Sequence, residues 1–352
     1  MMRFFTRDRT PTSVTILPSG RSFPATGKDS ILNEALAAGI PFPHSCTVGT
    51  CGTCKSRLIS GKVREITDAA IALSSQELKD RYILPCQSLA RGAVELDVAD
   101  LADMPDHPLV HTDGEMVGKR GLTHDILEVT VRVDEPFEYS AGQYAELTVD
   151  GLSGPRSYSF ATGAADRPKD EFTFFVRRTP GGEFTEWLFA EDRTGTRLGV
   201  VGPFGNLWLR PSAVPVLCVA GGSGLAPIKS ILEAARDDDV RRDFVFVFGA
   251  RSTRDLYCLE ESAALAGSWG TSYTFVPALS EEAPDSGWSG ARGMVTDVLA
   301  GLPTELLTSC DAYVCGPPAM VDAVEQQLRA LRPEGNFFHA DRFLDKKTQR
   351  QG

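Results

Sequence analysis

The chain has 352 residues, 42% of them hydrophobic and 24% charged, with a formal net charge of −11. That length predicts two or three domains, and that composition supports buried cores, which excludes a disordered chain. The acidic balance argues against a nucleic-acid partner, which needs a basic footprint, and no apolar run approaches the ~18 residues of a membrane span. The start, Met1–Thr10, is charged and has no apolar h-region, so the expected location is the cytoplasm.

Residues 1–103 carry 12 basic and 11 acidic side chains, whereas the remainder carries 24 and 36. Such charge asymmetry predicts separate units. A break is visible at Leu101-Ala-Asp-Met-Pro-Asp-His-Pro108, whose prolines continue neither a helix nor a central strand. The first unit holds Cys46, Cys51 and Cys54, then Cys86. C-x4-C-x2-C with a distant fourth cysteine is the plant-type spacing for a [2Fe–2S] cluster. Four thiolates must converge on two irons, three of them from one tight loop. Gly49 and Gly52 let that loop turn inward and aim N–H groups at the sulfurs. A zinc site is the competing reading, but zinc ligands usually come as two short C-x2-C pairs, and here Cys86 stands alone. A disulfide scaffold does not suit a chain of this length without a secretory signal. Cys218, Cys258 and Cys310 read as core packing.

From Gly114 to Leu209 the pattern is mostly strand. Ile126–Val133 and Gln143–Val149 alternate, and Glu171–Arg177 is rich in β-formers. Gly and Pro clusters separate these runs, which predicts an antiparallel barrel interrupted by a helix near Phe184–Glu191. Gly181-Gly182 at that helix start can expose N–H groups to a phosphate, with Thr185 adding a hydroxyl; a plain β–α turn is the alternative. After Pro211, strands at Val214–Ala220, Phe244–Phe248, Tyr273–Pro277 and Ala312–Cys315 alternate with helices at Pro227–Arg236, Glu260–Ala266, Val295–Ala300 and Pro318–Leu331. That alternation predicts a parallel, doubly wound sheet. Gly221-Gly222-Ser223-Gly224 follows the first of these strands and opens a helix with Pro227 in its first turn. It is not G-x-G-x-x-G, but it offers the same close backbone approach and helix N-terminus to a pyrophosphate.

Three further segments carry a resemblance. Arg156-Ser-Tyr158-Ser159 says little alone, but its position midway through a barrel that precedes an α/β domain resembles the flavin motif of the ferredoxin–NADP reductase superfamily. Gly-Gly-Ser-Gly-Leu-Ala-Pro227 and Cys315-Gly316-Pro-Pro resemble the nicotinamide motifs of the same superfamily, and Cys46 to Cys86 resembles a plant-type ferredoxin. The order of the three parts is similar to the reductase components of bacterial multicomponent oxygenases, including those of benzoate and methane oxygenation. Gly221–Lys229 and Phe338–Asp341 resemble terephthalate-type dioxygenase reductases.

The resemblance implies a ferredoxin-like α+β β-grasp domain over 1–103, a flavin-binding antiparallel β-barrel over 107–210, and an α/β nicotinamide domain over 211–352. It implies FAD, with Arg156 pairing the pyrophosphate, Tyr158 stacking on the ring and Ser159 hydrogen-bonding the reacting edge, supported by Val176, Arg177, Gly181, Gly182 and Thr185. Gly202-Pro-Phe-Gly205 would close the barrel. It implies Cys315 and Gly316 beside the nicotinamide and a terminal aromatic, Phe343, near the flavin; core packing is the alternative for Cys315 and Phe343. The nucleotide choice rests on Arg251 and Asp255 after the second parallel strand: a basic residue there suits NADPH and an acidic one NADH. The resemblance favours NADH.

No C-x-H pair suits a Rieske centre, and His111-Thr-Asp113 stands without an evident second histidine for a facial iron triad. The chain thus has parts for moving electrons and no evident site for activating oxygen. The expected function is transfer from NAD(P)H through FAD to the [2Fe–2S] cluster, and on to an oxygenase component, with an aromatic ring as the expected target. A reductase serving another acceptor, such as an enzyme of deoxysugar synthesis, has the same parts, whereas a redox sensor would lack the nicotinamide site, and both glycine motifs are intact here. Neither nucleic acid nor membrane is expected as a partner.

Overall fold

A computed structural model describes residues 12–44, 47–49, 52–98, 105, 107–163 and 168–343. The chain forms two compact units, one of them comprising Val110–Pro203 with Leu207–Phe343.

The first unit contains β1 (Thr12–Leu17), β2 (Ser22–Ala25), α1 (Ile31–Ala37), β3 (Ser56–Ser60), β4 (Val63–Glu65), α2 (Ser75–Lys79), β5 (Tyr82–Ile83), β6 (Ser88–Ala90) and β7 (Val94–Asp97). Five strands make a mixed sheet in the order β2-β1-β7-β3-β5, and β4 pairs with β6 separately. β1 runs parallel to β7 and antiparallel to β2. Ser30 caps α1 by accepting from the Asn33 N–H, and Ile31, Leu32 and Ala35 turn one face of the helix onto the sheet core of Val14, Ile16 and Leu96.

The second unit opens with an antiparallel barrel: β8 (Val110–Gly121), β9 (Ile126–Val133), β10 (Tyr144–Thr148), β11 (Arg156–Ser159), β12 (Glu171–Arg177) and β13 (Arg197–Phe204). The order is β11-β10-β13-β8-β9-β12, and a bridge between Phe160 and Phe174 joins the β11 and β12 ends of the sheet. Inward residues alternate along β9, where Val129, Val131 and Val133 are buried, as a one-sided core demands. Helix α3 (Glu183–Ala190) lies between β12 and β13 and buries Phe184 and Leu188 in that core.

The remainder is α/β: β14 (Val216–Gly221), α4 (Leu225–Asp237), β15 (Phe244–Ala250), α5 (Leu259–Ser268), β16 (Tyr273–Leu279), β17 (Ala291–Arg292), α6 (Val295–Ala300), α7 (Thr304–Ser309), β18 (Asp311–Gly316), α8 (Pro318–Leu331) and β19 (Phe338–Arg342). The six strands are parallel in the order β17-β16-β15-β14-β18-β19. Strands β14, β15 and β18 are buried on both faces, hence their near-continuous apolar runs. The order reverses between β14 and β18, and a doubly wound sheet binds ligands at the carboxyl ends of its strands beside such a reversal. Among the described residues no helix is long and apolar enough to cross a membrane.

Candidate electron-transfer site

Cys54 and Cys86 are buried and unbonded to each other, with their sulfurs 3.3 Å apart. Two sulfurs bound to one metal atom at about 2.3 Å lie within ~4.6 Å of each other, so this pair fits a shared metal. Cys86 sits in the helical turn Pro85–Gln87. The neighbouring Gln87 clamps the other side of the site: its amide donates to the Thr47 carbonyl at 2.7 Å and accepts from the Thr67 hydroxyl at 3.1 Å. Gly49 has φ +87°, and a Cβ there would lie 2.7 Å from the Gln87 side chain, so neither the turn nor the space admits another residue. Cys46 and Cys51 lie outside the described residues.

The flavin motif occupies β11. Arg156 Nη1 donates to the carbonyls of Ser153, Gly154 and Pro155, and Nη2 lies 3.6 Å from Glu183 in the first turn of α3. The guanidinium is therefore held close to a helix N-terminus. Gly182 is the N-cap of α3 and supplies no side-chain cap, and Gly181 turns with φ +72°. Thr185 is buried and donates to the carbonyls of Thr179 and Gly182, so its hydroxyl braces this turn. The Tyr158 ring lies 5.5 Å from that of Phe184, and burial pushes its phenol pKa upward, which keeps it neutral. The hydroxyls of Tyr158 and Ser159 have no hydrogen-bond partner among the described residues, which leaves both open to a bound flavin. Val176 is fully buried, so only its backbone can face a ligand.

Arg177 is placed differently from its strand neighbour. Its Nε bonds Asp125 at 3.1 Å, and its Nη1 lies 3.5 Å from where a Cβ on Gly222 would stand. The barrel thus lends a cation to the glycine loop of the α/β module.

That loop is tightly built. Gly221 passes from β14 into a one-turn helix, Gly222–Gly224, with φ +56° at Gly222, and α4 follows with Pro227 buried in its first turn. Gly224 is the N-cap of α4 and supplies no side chain, Ser223 is half-buried, and the Leu225 N–H turns back to the Gly222 and Ser223 carbonyls, so the positive end of α4 is presented by a bare glycine turn. A Cβ at Gly224 would overlap the Cys315 carbonyl, and one at Gly316, where φ is +146°, would lie 2.8 Å from the Gly221 carbonyl. The two motifs, 91 positions apart between Gly224 and Cys315, are in backbone contact at the sheet reversal. Cys315 is fully buried and its thiol pKa is pushed well up by burial, so it is a neutral thiol and not a nucleophile. Phe343 donates its N–H to the Gly316 carbonyl at 2.9 Å, which brings the chain's terminal aromatic to the same place.

Three residues of this region were not singled out from the sequence. Tyr257 is buried and donates to the Gly222 carbonyl at 2.9 Å. Asp341 stands directly across from Cys315 in the ladder, and burial raises its carboxyl to about 6. Asp125 lies in the β8–β9 turn and reaches both Arg177 and, at 4.0 Å, Arg251. Asp341 closes the Phe338–Asp341 segment, but no local spacing marks Asp125, whose partners are remote in sequence. Arg251 itself pairs with Asp255 at 2.8 Å. His111 is exposed on β8 and belongs to no metal-holding group of three His, Cys, Asp or Glu side chains among the described residues.

Three family models match: a 2Fe-2S iron-sulfur cluster binding domain over residues 14–91, an oxidoreductase FAD-binding domain over 113–208, and an oxidoreductase NAD-binding domain over 218–326. The chain is 40% identical over 338 residues to the xylene/toluene monooxygenase electron transfer component of Pseudomonas putida, covering 95% of this chain and 94% of that one. It is 34% identical to the reductase component of the naphthalene 1,2-dioxygenase system of the same species, covering 93% and 97%. Among solved structures, an Amycolatopsis cytochrome P450 reductase superposes with a TM-score of 0.78 at 31% identity, covering 94% of this chain and 98% of that one. The ferredoxin reductase of carbazole 1,9a-dioxygenase gives 0.71 at 30%, covering 95% and 99%.

Proposed function

Because the chain belongs to the iron–sulfur flavoprotein reductase components of oxygenase systems, we propose that it draws its electrons from NADH and delivers them directly to an oxygenase acting on an aromatic hydrocarbon. Its family role is electron transfer from NAD(P)H through FAD and a [2Fe–2S] cluster to an oxygenase component. When bound, FAD would supply a hydride acceptor for the nicotinamide and the [2Fe–2S] cluster a one-electron carrier.

The chain's own residues position these partners. Arg156 pairs the FAD phosphates beside the start of α3, where the Gly181 and Gly182 N–H groups, contrary to the sequence expectation, are spent on Glu186 and the Thr179 carbonyl, and Thr185 keeps that turn in shape. Tyr158 offers its ring face to the flavin, and the free Ser159 hydroxyl donates to the reacting edge. Gly221, Gly222, Ser223, Gly224 and Pro227 shape the cradle for the nucleotide's pyrophosphate, and Arg177 supplies a charge above it. Cys315, Gly316 and Phe343 form the wall behind the nicotinamide and keep water from it. Cys46, Cys51, Cys54 and Cys86 ligate the cluster. Domain boundaries at 103–107 and 210–211 fit these assignments. The observation that carries the reading is the close approach of Gly224 to the Cys315 carbonyl, in a loop whose Gly222 has the barrel's Arg177 beside it. The NADH preference is supported by Arg251, whose charge is already met by Asp255 and Asp125. A cluster within the chain supports direct delivery without a separate ferredoxin.

Anaerobic titration of the holoprotein with NADH, and separately with NADPH, tests this. The expected result is about three electrons per chain, two on the flavin and one on the cluster, with a reduced-cluster EPR signal. Uptake of two electrons with no EPR signal would defeat the proposed route.

A further inference from the structure

The β8–β9 turn brings His124 and Asp125 against the loop that follows β15. Asp125 is held there before any ligand arrives. It accepts from the Thr123 hydroxyl at 3.0 Å, and its carbonyl takes the Arg178 N–H at 2.7 Å. Its other carboxylate oxygen faces two arginines, Arg177 at 3.1 Å and Arg251 at 4.0 Å. Arg177 stands over Gly222 in the pyrophosphate loop. Arg251 follows β15, where a doubly wound fold places the ribose of the nucleotide's adenosine half and where an arginine accommodates a 2′-phosphate. Asp125 therefore sits between the place for the pyrophosphate and the place for the 2′-substituent.

Its surroundings bear on its charge. His124 Nε2 lies 2.9 Å from Arg254, 3.9 Å from Asp125 and 4.0 Å from Asp255. Asp255 takes the remaining charge of Arg251 at 2.8 Å, and the Glu281 N–H donates to the Arg251 carbonyl at 2.8 Å, which brings another carboxylate to this edge. Arg251 faces more carboxylate than one guanidinium cancels. The side chains of Asp125 and Asp255 are mostly shielded from water, so their charges are weakly screened. A metal ion does not suit the cluster of His124, Asp125 and Asp255, because three arginines already occupy its edge.

We infer that Asp125, a barrel residue, is a specificity-determining positioning residue for the nicotinamide nucleotide: it fixes Arg177 over the glycine loop and, with Asp255, denies Arg251 to a 2′-phosphate. This rests on the nucleotide site proposed above. A pyrophosphate has Arg177 and the α4 N-terminus to meet it and tolerates Asp125. A 2′-phosphate dianion near Arg251 meets a guanidinium already paired by Asp255 and faced by Asp125, and gains no uncompensated cation there. Replacing Asp125 with asparagine keeps the shape and the Thr123 contact and removes only the charge.

The test uses the full chain loaded with FAD and cluster, comparing wild type, Asp125→Asn and Asp125→Glu. Two readouts are taken: anaerobic stopped-flow flavin reduction by NADH and NADPH, and calorimetric binding of NAD+ and NADP+ to the oxidised protein. In Asp125→Asn the NADPH:NADH efficiency ratio and the NADP+:NAD+ affinity ratio are both expected to rise by about tenfold, the scale of one partly screened charge. Asp125→Glu is expected to restore the wild-type ratios. Flavin content and melting temperature serve as folding controls. If binding of both nucleotides weakens in step and the ratios stay fixed, Asp125 is only a structural clasp and the inference is overturned. If wild type binds neither nucleotide, the proposed nucleotide site falls and the inference with it. If wild type works with NADH and only the ratios fail to move, the site stands and the role of Asp125 alone is lost.

Discussion

At Gly224 the requirement for glycine is steric rather than conformational, since φ is −62° and any residue adopts it. A methyl group there would enter the Cys315 carbonyl, and that oxygen belongs to a strand buried on both faces. Gly224→Ala must push the loop away from β18, a displacement on the scale that misaligns a hydride donor. The expected outcome is a fall of about 10²-fold in kcat/KM for NADH, with flavin content unchanged. His339 shows a second single-residue effect. It is buried against the Tyr313 ring, 4.9 Å between centroids, and its pKa is lowered to about 3 by burial, then by Arg210 and Arg242. The unfolded chain therefore binds a proton that the folded one refuses. Stability from this group is intact above pH ~6.5 and falls with acidification at up to about 1.4 kcal/mol per unit. Asp341, raised to about 6, acts in the opposite sense between pH ~4 and 6, because the folded form holds its proton longer. His339→Phe keeps the ring contact and leaves Asp341 in place. Denaturant melts at pH 7 and pH 5 are expected to show a smaller acid loss in the variant than in wild type.

At the scale of elements, the flavin site depends on a strand and a helix start held in register. Arg156 ties the turn at Ser153–Pro155 to Glu183 at the beginning of α3. Arg156→Ala removes both the charge proposed to pair the phosphate and this tie. FAD affinity is expected to fall by roughly ten- to a hundredfold, the scale of a lost charged hydrogen bond, read as flavin released on gel filtration. This region also shows what a sequence reveals and what it hides. Val129, Val131 and Val133 alternate, and Gly222 to Pro227 form a local motif, so strand and loop are legible from neighbours alone. The short α7 at Thr304–Ser309 lacks a long amphipathic period and is visible only once Leu307 is seen packed against the sheet. The place of Arg177 was equally hidden. Its strand position is plain, but its guanidinium turns toward Gly222, 45 residues later, because Asp125 draws it there. Asp125 is settled by the packing of two modules, which no window of sequence contains.

At the scale of the molecule, the three functions are carried by parts that can be disabled separately. The barrel and the α/β module share one compact unit, with Ser230 of α4 donating to the barrel's Thr162 carbonyl and Lys229 paired with Glu233 beside it. The cysteines proposed as cluster ligands belong to the other unit. Cys86→Ser is therefore expected to abolish the cluster and leave flavin reduction by NADH intact. Anaerobic titration then reads about two electrons per chain in place of three. Retention of a [2Fe–2S] absorption and EPR spectrum would remove Cys86 from the ligand set.

The 3.3 Å approach of Cys54 and Cys86 also bears on the chain's entropy. These thiols are 32 positions apart. A metal bond to both closes that stretch into a ring, as a disulfide would, and a ring of this size withholds roughly 3–4 kcal/mol of freedom from the unfolded chain. The cluster is thus a staple as well as an electron carrier, and it fastens only the unit that contains it. Oxidative loss of iron would lower the melting point of the first unit while the flavin unit kept its own. A damaged molecule would still consume NADH at the flavin, with no cluster to carry the electrons onward.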